Sequence, residues 1–88
     1  MIDEIFIQEL NSLGAIAEYN LKQYKLCNGS TKTIEQYRVF SSNGVDKIAT
    51  LTITEYEKNA EIFGDIAVLS LPQAVKILQA IERKMEND

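Results

Sequence analysis

Apolar residues in the first part of the chain recur at steps of three and four: Ile2, Ile5, Phe6, Leu10, Leu13, Ile16, Ala17, Leu21 and Tyr24. At about 100° per residue these positions share one broad face, which predicts a long amphipathic helix. Asp3 and Glu4 suit the positive N-terminal end of such a helix, and Lys22 and Lys25 its negative end. Gly14 lies off the stripe and costs about 1 kcal/mol relative to alanine. It offers a break into two shorter helices, but the stripe keeps its phase across it, so one continuous helix is expected. Asn28-Gly29 then supplies a residue able to close the last turn in the left-handed conformation.

Beyond Lys32 the period changes from helical to alternating. Residues 33–41 are rich in β-branched and aromatic types, with Tyr37 and Val39 on one face. Asn43-Gly44 is a strong hairpin signal. In the next strand, about 46–56, Ala49, Leu51 and Ile53 oppose Thr50, Thr52, Thr54 and Tyr56, the mark of a sheet with one buried and one wet face. Glu57-Lys58-Asn59-Ala60 reads as a polar turn. A third strand is expected at about 61–69, with Gly64 as a bulge. Ser70-Leu71-Pro72-Gln73 resembles a capping box, with proline in the first turn where its missing N–H costs nothing. Leu71, Ala74, Val75, Leu78, Ile81 and Met85 form the stripe of the helix it opens, and Glu86-Asn87-Asp88 is expected to fray.

The pattern therefore predicts one α+β domain over residues 1–88, in the order α-β-β-β-α: a three-stranded antiparallel meander with both helices on one face. Phe6, Leu10, Leu13, Ala49, Leu51, Ile53, Val75, Leu78 and Ile81 are its expected core.

Composition narrows the function. Hydrophobic residues make up 45% of the 88, so the chain has the apolar content of a folded domain. Thirteen acids against nine bases leave a charge of −4, which disfavours a generic nucleic-acid binder, because phosphate repels an acidic surface. No basic signal region and no long apolar run is visible, so a soluble cytoplasmic protein without membrane contact is expected. The single cysteine, Cys27, excludes an intrachain disulfide and suits a reducing compartment.

With no histidine, serine–histidine and cysteine–histidine catalysis and the common zinc sites are excluded within one subunit. No glycine-rich phosphate loop and no calcium loop is present. The expectation is a non-enzymatic protein without cofactor or metal. Glu55 and Glu57 would share a strand face and, with Glu61 and Asp65, could hold magnesium, but a solvated turn is the better reading. That acidic turn, Glu55, Glu57, Glu61 and Asp65, opposed only by Lys58 and carrying Tyr56 as an amphipathic anchor, is the candidate contact surface for a partner with a basic surface.

Tyr37, Phe40 and Tyr56 suggest an alternative, bases stacked on an exposed sheet face. The order α-β-β-β-α is also that of double-stranded-RNA-binding domains, but those carry a lysine cluster where this chain reads Ser70-Leu71-Pro72-Gln73-Ala74-Val75-Lys76, so the likeness ends at element order. A third alternative is a self-assembling accessory protein or homodimer joined through a sheet edge or helix face. In size, charge and lack of catalytic residues the chain is similar to phage-encoded inhibitors of host defence, including anti-CRISPR proteins. That likeness of kind implies a small inhibitor or regulator that occupies a basic surface of its partner.

Overall fold

A computed structural model describes residues 1–87. The elements are α1 (Glu4–Ser12), β1 (Ile16–Lys25), β2 (Thr31–Phe40), β3 (Lys47–Ile53), β4 (Lys58–Ile62), a 3-10 turn (Gly64–Val68) and α2 (Leu71–Asn87). The four strands form one antiparallel meander in the order β1-β2-β3-β4. The α+β class and the packing of both helices on one sheet face are as expected, and the strand count is corrected from three to four.

The extra strand comes from the expected long helix, which ends after nine residues. Asp3 caps its start, accepting a 3.0 Å bond from the Phe6 N–H. At its end Gly14, with φ +85°, donates to Asn11, and Ala15 donates to Leu10 at 2.9 Å. This paired closure requires a left-handed residue, and Leu10 and Ala15 bury together beneath it. A Cβ on residue 14 would also lie 2.6 Å from Gln73 Nε2. Gly14 is thus the break, and Ile16–Lys25 pairs with β2 along its whole length.

The two Asn-Gly pairs do the same job. Each closes a turn whose glycine has positive φ, Gly29 at +86° and Gly44 at +72°. In each, the asparagine Oδ1 accepts the amide two residues on, Ser30 at 3.0 Å and Val45 at 2.8 Å. Asn28-Gly29 therefore turns a hairpin; it does not cap a helix.

The other correction lies after β3. Residues 58–60, expected as a turn, begin β4, which ends at Ile62. Gly64 opens the 3-10 turn, so it is no bulge. The bulge falls in β3, where the register against β2 shifts between Val39 and Phe40, and the consecutive residues Ile48 and Ala49 are both fully buried.

The core lies between the sheet and the helices. Phe6 and Leu10 of α1 and Ile77, Ala80 and Ile81 of α2 cover Tyr37, Val39, Ala49, Leu51 and Ile53. Leu13 is only partly buried, and Val75 and Leu78 are about two-fifths exposed. The buried stripe of α2 runs through Ile77, Ala80 and Ile81, so the expected one was turned by about a residue. Ser70 Oγ does accept from the Gln73 N–H at 3.3 Å. Gln73 does not complete the capping box; its Nε2 donates to Leu13 O at 2.7 Å, tying the start of α2 to the end of α1. The helix continues through Glu86 and Asn87, and Asp88 lies outside the described residues.

Candidate functional site

The β1–β2 hairpin is longer than the rest of the sheet. β3 ends at Ile53, opposite Glu35, and all residues 21–33 are exposed. The hairpin thus projects as a two-stranded arm, and the molecule measures 48 × 25 × 20 Å.

Ladder geometry determines what the arm presents. The bond from Leu26 N–H to Ser30 O at the hairpin tip places Leu26 and Ser30 as a hydrogen-bonded pair. Such pairs alternate along an antiparallel ladder, so Tyr24/Lys32 and Lys22/Ile34 face one another, while the backbone groups of Thr31 and Thr33 turn away from β1. Glu35, Tyr37 and Val39 point the same way and meet β3. Thr31 and Thr33 lie beyond the end of β3 and, among the described residues, pair with no strand there.

The β3–β4 turn stands across this free edge. Thr54 N–H donates to Glu57 O at 2.9 Å, and Glu57 N–H returns to Thr54 Oγ1 at 3.1 Å, holding Glu55 and Tyr56 at the tip. Between arm and turn is a recess of about 430 Å³ lined by Leu26, Ser30, Thr31, Lys32, Thr33 and residues 54–57. Tyr56 is 91% exposed, and Leu26 is 43% exposed.

The structure therefore brings Glu55, Tyr56 and Glu57 to one place and separates the other two acids from it. Glu55 and Glu57 sit in a turn, not on the strand face expected for them. Glu61 pairs with Thr50 four residues along β4, and Asp65 lies in the 3-10 turn beyond the strand's other end. Among the described residues no group of three or more acids, histidines or cysteines is arranged to hold a metal. The arm's contribution, Leu26 and Thr31–Thr33, is hidden in the sequence by the helical step that runs up to residue 25. The alternation Ala17, Tyr19, Leu21 against Glu18, Asn20, Lys22 was the available signal.

The aromatic residues do not form a common surface. Tyr37 is buried on the helix side, Phe40 is partly buried on the opposite face, and Tyr56 is outside the sheet. The open face presents rows Glu18–Arg38–Thr50–Glu61 and Asn20–Gln36–Thr52–Asn59. With a strand inserted, the order is α-β-β-β-β-α, and the likeness to double-stranded-RNA-binding domains no longer extends even to element order.

A second polar cluster lies under the start of α1. Lys84 Nζ is 2.8 Å from Asp3 Oδ2 and within 6 Å of the ring centres of Phe6 and Tyr37. The hydrogen bond from Lys84, helped by the Phe6 N–H, holds the Asp3 carboxyl below its ordinary range. Burial pushes Tyr19 up to about 12, aided by its 2.6 Å hydrogen bond to Glu35. Burial would also raise Glu35, but bonds from the Met1 ammonium and Tyr19 outweigh it and lower the group overall. Tyr37, raised by burial, accepts the Asp3 N–H at 2.9 Å. Perturbed groups can mark a reactive site. Here each one named is engaged by a neighbour, and the cluster ties α1 to the sheet and α2.

Among the described residues no helix is long and apolar enough to cross a membrane. No protein-family model, curated protein or solved structure matches the chain, so the recess, with its acids, exposed tyrosine and free strand edge, is known from its own geometry alone.

Proposed function

We propose that the protein is a non-enzymatic binding module, of the inhibitor or regulator kind, which holds an extended basic segment of a partner protein between its arm and the β3–β4 turn. The observation that carries this reading is the exposed Tyr56, flanked by Glu55 and Glu57 and facing the free edge of Thr31–Thr33. A free edge gives main-chain hydrogen bonds to an added strand, and neighbouring side chains give selectivity. Tyrosine supplies a rigid anchor with a polar tip. Two carboxylates favour lysine or arginine on the incoming segment and speed its approach. Glu61 and Asp65, outside the recess, act at most through the longer-range field of an acidic molecule.

The test uses a fluorescent peptide of alternating lysine and threonine, followed by anisotropy, with an alternating glutamate–threonine peptide as control. The lysine peptide should bind the wild type. Tyr56→Ala should weaken it by roughly ten-fold, and Glu55→Lys with Glu57→Lys should slow its association and flatten its salt dependence. Equal binding of both peptides, or binding unaffected by these changes in variants of unchanged melting temperature, overturns the proposal.

A further inference from the structure

Strand β1 is an outer edge of the sheet. It is ten residues long, contains no proline, and pairs with β2 without a shift in register. The other edge, β4, has five residues. Of the devices that blunt edges, short length, bulges and proline are absent from β1, and only its charged residues Glu18, Lys22 and Lys25 remain. With Leu26/Ser30 a hydrogen-bonded pair, the backbone groups of Ala17, Tyr19, Leu21, Gln23 and Lys25 point outward from this edge. Ile16, Leu21 and Tyr24 on the same strand are each at least 40% exposed.

We infer that two copies of the chain join antiparallel through β1, with a two-fold axis at Asn20, to give one continuous eight-stranded sheet. A second copy meets an identical edge, so the strand must complement its own reverse. Outward-pointing residues must also face one another, which confines the axis to a residue position. An axis at Lys22 sets that lysine against itself. An axis at Leu21 sets Glu18 opposite Tyr24 and Lys22 opposite Asn20, leaving no direct ion pair. An axis at Asn20 sets Glu18 opposite Lys22 twice and Ile16 opposite Tyr24 twice on the open face. On the helix side it sets Tyr19 opposite Leu21 twice. The pairs Ala17/Gln23 and Tyr19/Leu21, each occurring twice, supply about eight main-chain hydrogen bonds. Opposite charges and apolar pairs directly across a ladder both stabilise it. This edge lies across β1 from β2, whereas the recess opens on the far edge of β2, so the pairing is independent of the proposed partner site.

Light scattering across a concentration series should give twice the chain mass. Glu18→Lys and Lys22→Glu, both at exposed positions, should each weaken pairing by roughly ten-fold. The double exchange Glu18→Lys with Lys22→Glu should restore it, because the register then regains its ion pairs. A non-hydrogen-bonded pair brings Cα atoms to about 4.5 Å, within disulfide range. In a Cys27→Ser background, Asn20→Cys should therefore form an intermolecular disulfide under mild oxidation, while Gln23→Cys should not. A monomer mass up to about 1 mM, or a dimer that survives both single reversals and does not cross-link at position 20, overturns the inference.

Discussion

Ile77 and Leu78 are neighbours of similar size in α2, and only Ile77 is fully buried. Hydrophobicity cannot separate them; the angular position of the stripe does. A stripe centred on the larger side chains passes over Ala80, which is buried beside the start of α1. Replacing Ile77 by alanine should cost about 2–5 kcal/mol. Leu78→Ala should cost less than about 1 kcal/mol, since its surroundings include solvent. Urea denaturation of the two variants checks this, and equal losses would mean that α2 is rotated from the position described. Phe6, Leu10, Ala49, Leu51, Ile53 and Ile81 were legible as core because each lies on a repeating pattern that only one face can satisfy.

At the level of elements, what was legible depended on which of two competing periods was stronger. Residues 16–25 fit a helical step at Ile16, Ala17, Leu21 and Tyr24 and an alternating step at Ala17, Tyr19 and Leu21. The helical step continues the phase of the true helix before it and so masks the alternating one. Asn28-Gly29 does not separate the two, because it is equally good chemistry for a helix end and for a hairpin. β3 was clear because one of its faces is dry, whereas β4 was not, because four of its five residues are exposed and carry no alternation. Of the candidate site, the turn acids and Tyr56 could be named from composition. The arm opposite them could not, because its edge exists only once β1 is recognised as a strand.

For the whole molecule, charge placement gives a pH dependence with a definite sign. Asp3 and Glu35 titrate lower in the folded chain than their ordinary values. A group with a depressed folded pKa contributes stability that is complete above its unfolded value and lost as pH falls through the folded one. Tyr19, raised to about 12, acts at the other end: its contribution is present below about pH 10 and fades as pH rises toward 12. Asp3→Asn keeps a capping oxygen but removes the charge. Between pH 7 and pH 3 the variant should therefore lose less stability than the wild type, measured by urea midpoints. Equal losses would show that the Asp3–Lys84 pair does not contribute to acid sensitivity.

The bond from Gln73 to Leu13 spans 60 positions of the chain, and that from Lys84 to Asp3 spans 81. The sheet, by contrast, is made only of neighbouring hairpins. Closing a long loop costs more entropy than closing a short one, so kinetics should follow this division. The meander is the element expected to form on the way up the folding barrier, and the clasp between the two helix ends afterwards. A residue whose contacts form after the barrier affects escape from the native state and leaves the approach to it unchanged. Gln73→Ala should accordingly speed unfolding by roughly five-fold for about 1 kcal/mol of lost stability, with refolding in stopped-flow experiments at the wild-type rate. A matching slowdown in refolding would instead place the helix clasp in the nucleus.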